Sequence, residues 1–443
     1  MTSTRLSPLD RDIARLAVPA LGALVAEPLF LLTDTALVGH LGDVPLGGLA
    51  IAGTVLQTII GLLVFLAYAT TPAVARRLGS GDRAGAVTAG IDGMWLALTL
   101  GGVIVAAALP SAEWVLSLFG TAPPVAEAAL TYYSISIWGI PGMLLVIAAT
   151  GLLRGLQDTK TPLVVAVAGF VANAALNALL IYGLGWGIAG SAVGTVVTQW
   201  AMAAVYVILA IRVARATGGR LRPGFAGLGG AAAGGGWLFL RTLSLRASFV
   251  ATTAAAATLG VTELATMQIA MTVFLSAAFA LDALAIAAQA MVGHALGAGD
   301  IDHVLTVTAR LTRLGITAGA GLGAVLALLS PVLGFVFTSD ADVRAALTVA
   351  SLFTAASLPL AGYVFVLDGV LIGAEDGRYL ALAGIVNVLV YALVLWPAVA
   401  LAPSDPTWAV ACLWIALGVG MLGARAATLG LRARGRAWLP PTR

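Results

Sequence analysis

The sequence predicts an all-α integral membrane protein with twelve transmembrane helices in two six-helix lobes, residues 1–212 and 237–443, joined by a cytoplasmic linker at 213–236. Three observations carry this expectation. The chain is 60% hydrophobic and only 10% charged, whereas soluble domains run near 25% charged. Apolar runs long enough to cross a bilayer, about 20 residues, recur throughout. The first half of the chain also resembles the second half at a fixed offset.

The expected spans are 14–38, 46–75, 85–110, 124–150, 162–183, 187–212, 237–258, 263–293, 305–329, 342–367, 379–400 and 407–430. Loop charge supports the count. Arg5, Arg11 and Arg15 precede the first span; Arg76, Arg77 and Arg83 follow the second; Arg154 and Lys160 follow the fourth. Arg212, Arg215, Arg220 and Arg222 follow the sixth, Arg378 the tenth, and Arg432, Arg434 and Arg436 the last. After the eighth span, Arg310 and Arg313 lie within two turns of the connection. The intervening connections carry no Lys or Arg. By the positive-inside rule both termini are cytoplasmic. The start of the chain lacks a compact signal-type apolar core with a small-residue cleavage site, so the first span is read as retained.

Residues 41–82 align without gaps to 259–300, an offset of 218 with 16 identities in 42 positions. The same offset takes Gly151 to Gly369, Gly155 to Gly373 and Asp158 to Asp376. Self-similarity of this length marks a parallel structural repeat. The Gly- and Arg-rich stretch 213–236 reads as a flexible tether. LGSGD and LGAGD, which close the second helix of each half, read as glycine helix ends before tight turns.

The acids inside the apolar spans are the candidate functional residues. An ionised Asp at the centre of a bilayer costs about 2.5–3.5 kcal/mol on insertion scales and must face protein or water. The first span holds Glu27 and Asp34, seven residues and two helical turns apart, on one face. It also holds Pro19 and Pro28, each a natural bend point. A titratable group on a helix that can bend is the minimum apparatus of ion-coupled movement. The bland alternatives are an ion pair for Glu27 and an interfacial place for Asp34. Asp282 lies mid-span and Asp368 near a cytoplasmic end, and either has Arg241 or Arg246 as a potential buried partner. Asp92 reads as a snorkelling or capping residue. The offset takes Asp34 to Thr252, Asp282 to Val64 and Asp368 to Thr150, so the acids are not duplicated with the scaffold. Asn173 and Asn177 stand one turn apart on the fifth span. Tyr68, Gln57 and Gln268 are substrate-contact candidates, although interhelical hydrogen bonds and aromatic belts account for such residues equally well.

Other function classes find little support. One cysteine, Cys412, excludes an intramolecular disulfide, and His40, His294 and His303 show no metal-ligand spacing. No Walker-type phosphate loop occurs, and no nucleophile–base set marks an enzyme. A channel would need conduction rates that no exchanger reaches.

The segments EPLFLLTDTALVGHLG (27–42), RGLQDTKTPL (154–163), NAALNALLIYGLGWGIAGSAVGT (173–195), LGVTELATMQIA (259–270), ALDALAIAAQAMVGHALGAGD (280–300) and LDGVLIGAEDG (367–377) together resemble the multidrug and toxic compound extrusion (MATE) family, in its DinF-like branch. The resemblance implies a V-shaped pair of six-helix lobes and export of amphipathic, often cationic compounds against an H⁺ or Na⁺ gradient. It implies a bacterial cytoplasmic-membrane protein that works as a monomer, with no cofactor beyond the coupling ion and no nucleic-acid partner. Asp34 matches the family's first-helix carboxylate and Pro19 its bend proline. Asn173 matches a polar fifth-helix residue, Asn177 stands where archaeal relatives carry a second Asp, and Asp282 matches an eighth-helix acid of the DinF-like branch. A lipid-linked oligosaccharide flippase shares the superfamily architecture. It would need cationic groups to hold pyrophosphate, for which Arg241 and Arg246 are the candidates.

Overall fold

The computed structural model describes residues 7–439, and no strand occurs among them. In the first half the helices are α1 (Pro8–Gly39), α2 (Asp43–Leu63), α3 (Phe65–Gly79), α4 (Arg83–Ala108), α5 (Ala112–Ser117), α6 (Pro123–Ser136), α7 (Ile140–Gly155), α8 (Lys160–Ala178) and α9 (Gly187–Thr217). The second half has α10 (Phe225–Leu259), α11 (Val261–Ala298), α12 (Ile301–Phe337), α13 (Ala341–Gly373), α14 (Gly377–Ala400), α15 (Pro406–Ile415) and α16 (Ala424–Arg434). Two stretches widen to π-helix: Leu179–Gly183 directly after α8, and Ala416–Gly423 between α15 and α16. Only helices satisfy their own backbone polar groups in hydrocarbon, which fits an apolar chain that is helical nearly throughout.

Eleven helical stretches among the described residues are long and apolar enough to cross a membrane. α10, which holds the expected seventh span 237–258, is not one of them. The expected second span is α2 and α3 joined at Val64. The expected linker 213–236 is mostly helix: α9 runs to Thr217 and α10 begins at Phe225, so only Gly218–Gly224 is irregular. That short connection is tethered rather than free. The Asp92 carboxylate accepts the Gly224 N–H (3.1 Å) and pairs with Arg220 (3.5 Å). Asp92 is 3% exposed and anchors the connection, which replaces its expected snorkelling role with a specific one.

The chain divides into two compact units, Arg15–Gly235 and Met1–Ala14 with Gly236–Arg443. In the first, the largest fully buried side chains include Tyr133, Ile137, Ile140, Leu144 and Leu152, on α6, α7 and the turn between them. In the second, Trp414 stacks edge-on against Phe274 (centroids 5.9 Å apart) beside Met267, Leu281 and Tyr391. There the start of α1 is held on α12 by a bidentate pair, Arg310 Nε and Nη2 to the Asp10 carboxylate (2.6 and 2.9 Å).

The duplication is visible in backbone geometry as well as in residue identity. Gly81 and its offset partner Gly299 both take positive φ (+84° and +75°), a conformation that glycine adopts without strain. The next residues, Asp82 and Asp300, accept the backbone N–H three positions on and cap α4 and α12. Gln157 and Glu375, again 218 apart, share positive φ (63° and 61°). The helix crossings repeat too. A Cβ at Gly151 on α7 would lie 2.9 Å from the Ala67 carbonyl oxygen on α3, and one at Gly369 on α13 would lie 2.5 Å from that of Ala285 on α11. Small residues at such crossings let membrane helices approach closely.

Candidate functional site

Asp34 lies near the end of α1 and is 3% exposed. Its carboxylate collects three donors from three other helices. Ser191 Oγ on α9 donates to Oδ1 at 2.5 Å, and Asn177 Nδ2 on α8 donates to the same oxygen at 2.9 Å. Tyr132 Oη on α6 donates to Oδ2 at 3.2 Å. Hydrogen bonds to a charged group contribute about 1.5–3 kcal/mol each. Three of them offset the roughly 2.5–3.5 kcal/mol needed to insert the charge. No Lys or Arg is among the partners of Asp34, so its negative charge is solvated but not neutralised.

A second layer fixes these donors. Asn173 and Asn177, one turn apart on α8, exchange amide hydrogen bonds: Asn177 Nδ2 to Asn173 Oδ1 (3.2 Å) and Asn173 Nδ2 to Asn177 Oδ1 (3.5 Å). Asn173 Nδ2 also donates to Thr195 Oγ1 (3.3 Å). Both protons of each amide are therefore used, and neither amide is free to swing. Space for the pair comes from the small-residue start of α9. A Cβ at Gly194 would overlap Asn177 Oδ1. Asn177 lies two residues before the π-helical stretch Leu179–Gly183, whose Tyr182 hydroxyl donates to the Leu37 carbonyl of α1 (2.5 Å). Single π-helical turns of this kind occur frequently at functional sites.

Of the residues expected from the sequence, Asp34, Asn173 and Asn177 come together as one cluster. Glu27 does not join them. It shares the face of α1 with Asp34, but it is exposed, and Asp34 has no bond to it. Pro19 and Pro28 both lie within α1, which runs through them as one helix. Asp282 lies in the other unit, half-buried on α11. Gln57 and Tyr68 are half-buried on α2 and α3, and Gln268 is exposed on α11. Tyr132, Ser191 and Thr195 complete the cluster and were not expected in it. The only sequence signal for Ser191 and Thr195 is the small-residue run GIAGSAVGT opening α9. Asp368 pairs with Arg241 as the sequence allowed, and also with Arg425, which it did not single out. Arg246 is exposed.

The fold and this cluster can be set beside known proteins. The MatE family profile matches residues 19–179 and again 238–397, one match in each half. The chain belongs to the MatE family. It is similar to Protein DETOXIFICATION 44, chloroplastic, of Arabidopsis thaliana (29% identical, 92% of this chain and 79% of the relative). It is also similar to DNA damage-inducible protein F of Escherichia coli K12 (28% identical, 83% and 82%). Among solved structures, an outward-facing multidrug resistance MATE transporter superposes with a TM-score of 0.86 at 22% identity, over 98% of this chain and 97% of that one. A MOP-superfamily transporter from Pyrococcus furiosus superposes with a TM-score of 0.87 at 22% identity, with the same coverages. The MatE chain is thus a multi-pass membrane transporter of small molecules, not an enzyme.

Proposed function

We propose that the chain is an H⁺-coupled efflux antiporter that exports amphipathic, often cationic compounds by alternating access. In this reading it works as a monomer in a bacterial cytoplasmic membrane, with both termini in the cytoplasm and twelve spans. It needs no cofactor beyond the coupling ion. The observation that carries the reading is the buried, unneutralised carboxylate of Asp34. A charge held only by neutral donors is lost or gained with one proton, and the donors must then rearrange.

The two carboxylate oxygens are unequal. Oδ1 holds two bonds, one from an amide that cannot become an acceptor without breaking the Asn173–Asn177 exchange. Oδ2 holds one longer bond from a hydroxyl that can rotate. The incoming proton therefore sits on Oδ2 and donates to Tyr132 Oη, whose own proton turns away. Ser136, one turn along α6 on the same face, is buried and its hydroxyl has no hydrogen-bond partner, so it is the acceptor for the displaced proton. Once Asp34 is neutral, the bonds from Ser191 and Asn177 lose their charge assistance and roughly half their strength. α1 is then held less firmly against α8 and α9, and Pro19 and Pro28 are the places where it bends. A sodium ion would instead need these groups to turn lone pairs inward, against the saturated amide exchange. With Asn177 in the place of a second acid, the cluster carries one proton per cycle.

The energetics suffice. One charge across 100 mV contributes about 2.3 kcal/mol, and one pH unit adds about 1.4 kcal/mol. Their sum supports a substrate gradient of a few hundred-fold for an electrically compensated exchange. Asp282 is the acid we assign next to coupling, followed by Glu27; Gln57, Tyr68 and Gln268 are assigned to substrate contact. The test is dye export from proteoliposomes with a pH gradient or a sodium gradient imposed separately. Export driven by the pH gradient alone, and lost in Asp34→Asn, is the expected result. Export driven only by sodium would overturn the proton assignment, and undiminished export by Asp34→Asn would overturn the site.

A further inference from the structure

The second unit holds a buried charge cluster of opposite sign. Asp368, in the last turns of α13, is paired by Arg241 of α10 through two guanidinium nitrogens. Arg425, at the start of α16, approaches the same carboxylate at 3.3 Å. The side chains of Arg241, Asp368 and Arg425 are only 12%, 8% and 8% exposed. Two guanidiniums therefore share one carboxylate in the membrane part of the protein. Arg425 is the odd member. Its five N–H donors make no hydrogen bond, and its one ion-pair contact is to a carboxylate that Arg241 already holds. Burying a guanidinium without hydrogen bonds is expensive.

Arg425 and Arg241 line a small pocket with the Asp368 carboxylate, Ser244, Ser248 and Asn387. Asn387 is 6% exposed. Its amide oxygen accepts from Thr428 (3.4 Å), while its amide nitrogen has no partner. The Ser244 and Ser248 hydroxyls donate to the backbone carbonyls of Leu240 and Ser244. A guanidinium that makes no hydrogen bond and an amide nitrogen without a partner thus converge on one pocket. Other charges on the packed elements are accounted for elsewhere. Asp376 pairs with Arg432 (2.7 Å), and Arg246, Glu375 and Arg378 are exposed. The π-helical stretch Ala416–Gly423 ends two residues before Arg425, as the other π-helical stretch begins two residues after Asn177.

We propose that this pocket is a binding site for one small monovalent anion, held by the Arg425 guanidinium and the Asn387 amide. The ligand chemistry is that of a singly charged acceptor, either a free halide or the carboxylate end of a small organic acid. The site is separate from the Asp34 cluster and stands or falls independently of proton coupling. Its offset equivalents in the first half, Ala23, Thr150 and Val207 for Arg241, Asp368 and Arg425, carry no charge, so the duplication does not generate it.

The test is thermal unfolding of the full-length protein in detergent, titrated with sodium chloride or with sodium acetate, each replacing sodium gluconate at constant ionic strength. A ligand that binds only the folded state raises the transition saturably. The expected result is a saturable upward shift with at least one of the two anions. Arg425→Gln weakens its midpoint at least tenfold, and Asn387→Leu weakens it several-fold. A response to chloride but not acetate assigns the halide; the reverse assigns a carboxylate. Arg425→Gln leaves the neutral Arg241–Asp368 pair in place and is expected to fold. Should it not, Asn387→Leu and the broadening of the ³⁵Cl resonance on adding wild-type protein provide the same decision for chloride. No anion-specific shift at constant ionic strength, or an equal shift in wild type and both variants, would overturn the site.

Discussion

In the unit Arg15–Gly235 a buried carboxylate meets only neutral donors; in the unit containing Gly236–Arg443 another meets two guanidiniums. One cluster carries a net negative charge, the other a net positive charge, and the repeat relates neither to its counterpart. Asp34 corresponds to Thr252 and Asn173 to Tyr391, and Thr252 and Tyr391 meet hydroxyl to hydroxyl at 2.5 Å. The rest of the equivalent cluster is apolar: Asn177, Ser191, Thr195 and Tyr132 become Leu395, Ala409, Leu413 and Ala350, all buried. The duplicated scaffold keeps its turns, caps and glycine crossings, because those depend on backbone geometry that both halves need. The charges have diverged, because a titratable group is costly in a membrane and is retained only where it acts.

The sharpest way to break this comparison is to remove each charge in turn. Asp34→Asn is nearly isosteric, and Asn mimics the protonated acid: its oxygen keeps the bonds from Ser191 and Asn177, and its amide nitrogen donates to Tyr132 Oη. Folding is expected to change by less than about 1 kcal/mol, because the exchange removes a charge and leaves no donor unmet. Gradient-driven export should fall at least about 100-fold, since a group that cannot change charge cannot couple. Proteoliposome flux together with a thermal melt of the same preparation checks both halves of the statement.

The same substitution in the other unit should do the reverse. Asp368→Asn leaves two buried guanidiniums facing a neutral amide. Breaking a buried charge network by removing one partner costs about 3–5 kcal/mol. A drop in the melting transition of many degrees is expected, and adding Arg425→Gln to it should recover part of the loss by removing one of the two stranded charges. If Asp368→Asn melts with the wild type while Asp34→Asn unfolds, the division between a coupling acid and a charge-balanced one is wrong.

These two acids also mark how far the sequence could be read. The repeat, the apolar spans and the position of Asp34 follow from local pattern. Asn173 and Asn177 follow from one-turn spacing on an otherwise apolar helix. Glu27 stays outside the Asp34 cluster for a physical reason. Seven residues put it on the same face as Asp34, but also about 10 Å away along the helix, where α1 presents Val25, Leu29 and Leu32 to the surface instead of packing against α8 and α9. Periodicity gives angle, not depth of packing. Tyr132, Ser191 and Arg425 lie 98, 157 and 57 residues from the acids they meet, and no local pattern records such register. The expected span 407–430 hid Arg425 because one arginine in a long apolar run does not interrupt its hydropathy.

A smaller effect tests whether the amide exchange positions Asp34 or merely fills space. Gly194→Ala places a methyl group against Asn177 Oδ1 and pushes that amide away from Asp34. Export is expected to fall about tenfold, with the pH that gives half-maximal export displaced, because one donor to the carboxylate is lost while Ser191 and Tyr132 remain. A purely structural role for the pair would lower the melting transition and leave that pH dependence where it was.

The smallest expected effect on transport lies at the place the repeat makes equivalent to Asp34. Thr252→Val keeps the shape of the side chain and removes the hydroxyl that meets Tyr391. Leaving that phenol unmet in a buried site costs about 1–3 kcal/mol of stability. Export per folded molecule should stay within about twofold of wild type, because no charge changes there in the cycle. Comparing Thr252→Val with Asp34→Asn at matched folded fractions therefore measures the asymmetry directly. One variant should lose stability and keep transport, and the other should keep stability and lose transport. If Thr252→Val also stops export, the second unit rearranges at the equivalent depth, and movement is symmetric even though the charge is not.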